Sequence, residues 1–245
     1  MRSNWLFVGA EEGEGAWDRK KDHNIDDMED EESGSESRKK RQRSYSLSKF
    51  DRLPIIVLAS GSSNRLKLLQ KVGINPIVEP SDFPENLSKH LPPGEFAQET
   101  ALRKAQEVVT RFQEGGTTFD VVIGCDTIIY FDGLILGKPR DEDDAFDTLK
   151  RLNGQKHSVY TGVALISAKE KVEKFFEETI VEFGDIPEEI LRAYVDTGEP
   201  MGRAGSYGIQ GKAGVFVKSI AGCFNNVVGL PIYEVVKRLR TILRK

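Results

Sequence analysis

The chain has 245 residues, with 35 basic and 39 acidic side chains and a hydrophobic fraction of 38%. That length supports one large domain or two small ones around a buried core, and a net charge of −4 argues against general nucleic-acid binding, which carries a basic footprint. Two cysteines, Cys125 and Cys223, make no disulfide framework and belong to no zinc-type cluster, and no apolar run approaches the roughly 18 residues of a membrane span. In chain order, "NWLFVGA" near the start is too short for a signal-peptide core and is followed by acids, so a soluble, non-secreted protein is expected. Residues 1–52 read as a disordered extension: acids dominate from Glu11 to Glu36, apolar residues are sparse, and the basic cluster "RKKRQR", Arg38 to Arg43, follows. That cluster reads as a nuclear-import signal or interaction tail, against a solvated linker, and the neighbouring "RSYSLS" has hydroxyls that can accept phosphate.

Residues 53–245 read as the folded domain. "PIIVLAS" is expected as a buried strand, "RLKLLQKVG" as a helix stopped by Gly73, and "NPIVEP" as a second strand. A Pro-rich loop leads to the long helix "EFAQETALRKAQEVVTRFQEGG". "FDVVIGCDTIIYFDGLILG" reads as two strands joined by a Phe-Asp-Gly turn. "DEDDAFDTLKRLNG" has acids at the start of its helix and Lys/Arg near the end, matching the helix dipole. Two long strands around a polar turn follow, then a helix with Pro187 and two Glu in its first turn. "GVFVKSIAG" reads as a strand and "PIYEVVKRLRTILRK" as a closing helix. The mixture predicts α/β architecture with a mixed sheet.

Four stretches place small residues beside charge. In "SGSSNR", Ser60, Ser62 and Arg65 sit where a strand breaks into a helix, either as an N-cap alone or as an anion site at the helix start. In "VVIGCDTIIY", Asp126 interrupts an apolar strand, which is costly unless the carboxylate is paired or faces a cleft. Side-chain alternation then turns Cys125 toward the core. Lys138 in "ILGKPRD" is framed by Gly137 and Pro139, as a point charge for phosphate or an ordinary turn lysine. The glycine-dense run "RAGSYGIQGKAGVFVKSIAGCFNNVVGLP" suggests sharp turns close to a ligand, with Gln210 offering an amide that both donates and accepts.

Together, "LASGSSNRLKLL", "GCDT", "GKP", "SYGIQGKAGVFV" and "NNVVGLP", in this order, resemble the Maf family of nucleoside triphosphate pyrophosphatases over residues 53–245. The resemblance implies an elongated, mixed-sheet fold related to the inosine triphosphate pyrophosphatases, with two lobes and a central cleft. It implies hydrolysis between the α- and β-phosphates, dependent on a divalent cation (Mg²⁺ or Mn²⁺), in a cytoplasmic enzyme that is often a homodimer. By position it implies that Ser60, Ser62 and Arg65 bind phosphate and that Asp126 is the proton acceptor. Lys104 matches a helical Lys-Ala and Lys138 the Lys of Gly-Lys-Pro. Glu85 is the expected second acidic partner, at the metal with Asp126. Thr127 and Gln210 fall at substrate-contacting positions, Gln210 as in the branch acting on dTTP and UTP. Three departures stand out: Ser63-Asn64-Arg65 stands where most members have Pro-Arg-Arg, with Asn64 at a position tied to substrate choice; Gly202-Arg203-Ala204-Gly205 stands where Asp-Lys-Ala-Gly is usual, Arg203 keeping the positive charge; and Ser206 replaces the usual Ala. The alternative is a regulator of cell division that binds nucleotide without cutting it.

Overall fold

The computed structural model describes residues 53–84, 87 and 91–243. The N-terminal extension with Arg38–Arg43, and Glu85, lie outside the described residues. The chain opens with β1 (Ile56–Ala59), α1 (Ser63–Lys71) and β2 (Ile77–Val78), followed by the 22-residue α2 (Pro93–Glu114). β3 (Val121–Phe131) and β4 (Leu134–Leu136) form a hairpin whose turn residues Asp132 and Gly133 both have positive φ, as the Phe-Asp-Gly signal requires. After α3 (Glu142–Leu152), the long strands β5 (Lys156–Ser167) and β6 (Val172–Phe183) run antiparallel. Then come α4 (Glu188–Val195), two 3₁₀ turns, β7 (Val217–Ala221), α5 (Phe224–Val228) and α6 (Ile232–Ile242).

One seven-stranded mixed sheet results, in the order β2-β1-β3-β5-β6-β7, with β4 on the free stretch of β3. β1 lies parallel to β2 and β3, and every other pairing is antiparallel. β1 is buried along its whole length, as its unbroken apolar run demands. Helix α2 packs against β3 and β5 with its backbone close to the strands. A Cβ on Gly124 would overlap the Ala101 carbonyl oxygen and lie 2.8 Å from Ala105 Cβ, and one on Gly162 would overlap the Ala97 carbonyl. Glycine is required at both positions because helix backbone occupies the space a side chain would need.

The apolar core divides along the long strands. One cluster gathers Leu149, Leu191, Phe183, Tyr207 and Phe216 from α3, α4, β6 and the glycine-rich run. Others gather around α1, α6 and the first half of β3, and around α2. These clusters pack on one sheet within a single compact unit, Pro54–Lys245, and a cavity draws residues from the loop into α1, from β3 and from the glycine-rich run.

Two elements differ from expectation. In "GVFVKSIAG" the first three residues are not strand: Lys212–Phe216 is a 3₁₀ turn that buries Ala213 and Phe216, and β7 starts at Val217. Pro187 caps α4 from outside instead of opening its first turn.

Candidate active site

β1 ends at Ala59, opposite Gly124, and β4 begins pairing only at Ile129. Along that edge, Cys125 to Ile128 have no strand beside them. The gap opens onto a cavity of about 550 Å³, within the range of small-ligand sites. It lies past the C-terminal end of a parallel strand, the usual place for ligands in open α/β sheets. Through the gap the cavity reaches both Asp126 and Thr127, which point to opposite faces of β3. Cys125 is fully buried in the core, as alternation predicts, and burial pushes its thiol up to about 11, against the pull of Arg65 and Lys104.

On one face, α2 brings Lys104 to Asp126, Nζ to Oδ1 at 2.8 Å, with both side chains largely buried. Asp126 is the one carboxylate lining the cavity among the described residues, and its Oδ2 takes no hydrogen bond from them. The Lys104 residue of the helical Lys-Ala match thus pairs its ammonium with the Asp126 carboxylate.

On the other face sits the loop into α1. Ser62 is the N-cap, its Oγ accepting from Arg65 N at 3.4 Å. Ser60 Oγ accepts from Ser62 N at 3.3 Å and from Arg65 Nη1 at 2.8 Å. A hydroxyl has one proton and two lone pairs, so Ser60 has both lone pairs engaged and its proton left to donate, while Ser62 keeps its proton as well. Arg65 also donates from Nε to the Gly229 carbonyl at 2.9 Å and from Nη2 to Thr127 Oγ1 at 3.0 Å. Its three described partners are neutral and no described carboxylate pairs with it. Its charge is uncompensated, and two of its five N–H groups remain to meet an anion.

Asn64, Lys138, Arg203 and Gln210 also line the cavity, so every expected site residue among the described ones is brought together. Lys138 and Gln210 are exposed. Arg203 is anchored by its Nε on the Glu199 carbonyl at 2.8 Å, with Nη2 3.8 Å from the Glu199 carboxylate. A Cβ on Gly208 would overlap the Arg203 guanidinium where it stands, so the arginine tip would have to shift. Tyr207, which the motif "SYGIQGKAGVFV" contains but which was given no role there, lines the cavity too, and its hydroxyl lies 2.8 Å from Nε2 of the buried His157. Burial lowers the His157 imidazole to about 4 and raises the Tyr207 phenol.

No group of three or more His, Cys, Asp or Glu side chains converges among the described residues. One or two carboxylates are nevertheless the usual protein share of a Mg²⁺ site that is completed by substrate phosphates and water, so Asp126 fits such an ion.

The comparisons accord with the motif order. The family model described as Maf-like protein matches residues 55–242. The chain is 46% identical over 194 residues to a human protein named probable bifunctional dTTP/UTP pyrophosphatase/methyltransferase protein, covering 75% of this chain and 31% of that one, so it spans about a third of that relative's length. It is 40% identical over 192 residues to the dTTP/UTP pyrophosphatase of Ruminiclostridium cellulolyticum, covering 78% of this chain and 95% of the relative. Likeness to solved structures is distant. A nucleoside-triphosphatase, or dITP/XTP pyrophosphatase, from Mycobacterium abscessus gives a TM-score of 0.35 at 14% identity, over 54% of this chain and 75% of that one.

Proposed function

The chain belongs to the Maf family, and from that premise we propose that it is a nucleoside triphosphate pyrophosphatase acting on dTTP, UTP or modified pyrimidine triphosphates. The observation that carries the reading is the polarity of the cavity: Ser60 and Ser62 keep protons to donate, Arg65 keeps its charge, and the one described carboxylate stands across the sheet gap from them. The names of the bacterial and human relatives support dTTP and UTP among these substrates.

In this proposal the triphosphate oxygens accept from Ser60, Ser62 and the two remaining N–H groups of Arg65, with Lys138 and Arg203 adding positive charge. Asp126 is steadied through Oδ1 by Lys104. Its Oδ2 orients a water and takes its proton as the water oxygen bonds to the α-phosphorus. The bond from that phosphorus to the bridging oxygen breaks, and pyrophosphate leaves. A divalent cation, Mg²⁺ or Mn²⁺, would be held by Asp126 and the substrate phosphates, and would neutralise phosphate charge. Gln210 and Asn64 contact the nucleoside.

The test is product analysis. The purified chain is incubated with canonical and modified nucleoside triphosphates and Mg²⁺, and pyrophosphate is scored apart from orthophosphate. Pyrophosphate with monophosphate from dTTP or UTP is the expected outcome. Orthophosphate instead would mean a general phosphatase, and tight nucleotide binding with no product would mean a regulator.

A further inference from the structure

Behind Arg65 runs a line of buried polar side chains to which the motifs assigned no role. Thr161, Thr179 and Asn226 are all fully buried, where an unpaired polar group is costly. The direction of each hydrogen bond along the line follows from what each group can donate. The Val159 carbonyl only accepts, so the Asn226 atom 3.0 Å from it is Nδ2, whose other N–H goes to Thr179 Oγ1 at 2.9 Å. Thr179 also accepts from Cys223 N at 3.0 Å and donates to the Cys223 carbonyl at 3.2 Å. The Asn226 carbonyl only accepts, so Thr161 commits its single proton there, at 3.0 Å. Thr127 and Thr161 stand directly opposite each other on β3 and β5, their hydroxyls 3.0 Å apart. With the Thr161 proton committed, Thr127 is the donor of that pair. It therefore meets Arg65 Nη2 as an acceptor only.

We propose that Thr161 is a positioning residue for Arg65: by fixing the direction of the Thr127 hydroxyl, it sets the plane of the guanidinium. The proposal rests on the reading of Arg65 as the triphosphate-binding cation. Without the Thr161 hydroxyl, the Thr127 proton is free to turn toward the guanidinium, where hydrogen faces hydrogen. The anchor of the line is α5. Its Asn226 carbonyl receives Thr161, and the carbonyl of Gly229, just past its end, receives Arg65 Nε. The Asn226 amide fastens α5 to β5 and β6. Gly229 has φ 121°, a left-handed conformation that favours glycine. The Asn-Asn-Val-Val-Gly stretch thus acts through its main chain, as a support for the cation. Thr127 is an acceptor in the cavity, in contrast to the donors Ser60 and Ser62.

Thr161→Val removes the hydroxyl at nearly constant volume, and Thr161→Ser keeps it. Thr161→Ala is the second variant should Val fail to fold, with the same expectations. In ¹⁵N-labelled protein without ligand, the Arg65 Nε–H resonance is assigned by its loss in Arg65→Lys. It is expected to persist in wild type and Thr161→Ser, and to exchange with water at least about tenfold faster in Thr161→Val, since the opening that exposes it becomes easier. In pyrophosphate release, Thr161→Val is expected to lower kcat/KM by about 10- to 100-fold, as a misplaced binding group does. Thr161→Ser should stay within about threefold of wild type. In an Arg65→Lys background, Thr161→Val should lose most of its effect, because coupled positions are not additive. An unchanged Arg65 resonance in Thr161→Val, Thr161→Ser as impaired as Val, or full additivity with Arg65→Lys would each overturn the proposal. If wild type released no pyrophosphate, the proposed function would fall while the resonance comparison still decided the positioning role.

Discussion

Gly124→Ala tests the link between packing and chemistry most directly. Gly124 lies two residues before Asp126 on β3, beneath Ala101 and Ala105 of α2, and the same helix carries Lys104. A Cβ on residue 124 would overlap the Ala101 carbonyl oxygen and sit 2.8 Å from Ala105 Cβ. Carbon atoms ordinarily keep about 3.5–4.0 Å apart, so α2 must retreat by about 1 Å. The Lys104–Asp126 contact, 2.8 Å in the native chain, then stretches beyond hydrogen-bonding range. Overpacking of this kind costs about 1–3 kcal/mol of stability, and a displacement of about 1 Å at a catalytic group costs about 100-fold in rate. Urea unfolding and kcat/KM for pyrophosphate release measure the two effects. Gly184→Ala is the control, since its added Cβ would meet Ile186 Cδ1 at an ordinary 3.8 Å and the residue does not line the cavity. The reasoning fails if Gly124→Ala keeps kcat/KM within about threefold of wild type, or if both glycine variants lose activity equally.

The Lys104–Asp126 pair and His157 carry the remaining expectations. Asp126→Asn should abolish turnover with the fold intact, whereas Lys104→Met leaves a carboxylate without this partner in the cavity wall and should cost about 3–5 kcal/mol of stability as well as activity. Urea midpoints alongside pyrophosphate assays separate the two, and a Lys104→Met protein as stable as wild type would contradict the pairing. His157 is 3% exposed and its imidazole is lowered from 6.5 to about 4 by burial. The unfolded chain therefore takes up this proton at higher pH than the folded one, so the stability is fully present above pH 6.5 and is lost as pH falls toward 4. The loss from pH 7 to pH 5 works out at about 2 kcal/mol. Comparing urea unfolding of wild type and His157→Gln at both pH values should give a drop about that much larger in wild type, and equal drops would refute it.

Most elements were legible because apolar spacing records burial directly. The alternation of β3 placed Asp126 and Cys125 on opposite faces, and the acid-to-base gradient of α3 marked its ends. The sequence around Val217 misled because Gly214-Val215-Phe216 has the composition of a strand. Burial of Ala213 and Phe216 against the α4 side of the core is met by a 3₁₀ turn, a tertiary demand that local propensity does not carry. The five-residue α5 was invisible for a related reason. Two asparagines are poor helix formers, and it is the Asn226 side chain, tied to β5 and β6, that holds the segment. Within the site, the charged and hydroxyl residues were readable from type and position. The pairing of Lys104 with Asp126, 22 residues apart, was not, since no periodicity sets the register of a helix against a strand. Thr161 gave no signal of its own, because one buried hydroxyl in an apolar strand looks like any other strand residue.

The gap between β1 and β4 explains how one cavity holds two chemistries that would interfere if mixed. Consecutive residues of a strand point to opposite faces, so in an unbroken sheet Asp126 and Thr127 would belong to different environments. Where the neighbouring strand stops, both become neighbours of the same space while their supports stay apart. On the α2 face a carboxylate is satisfied by an ammonium, a pair with little net charge toward the cavity. On the α1 and α5 face a guanidinium is held by a serine, a threonine and a main-chain carbonyl, all neutral, and keeps its full charge. Had Arg65 instead been close enough to pair with Asp126, each would have cancelled the other, removing both the proposed anion site and the proposed acceptor for a water proton. The thickness of β3 keeps them separate, and the hydroxyls that link Arg65 back to α5 hold it on its own side.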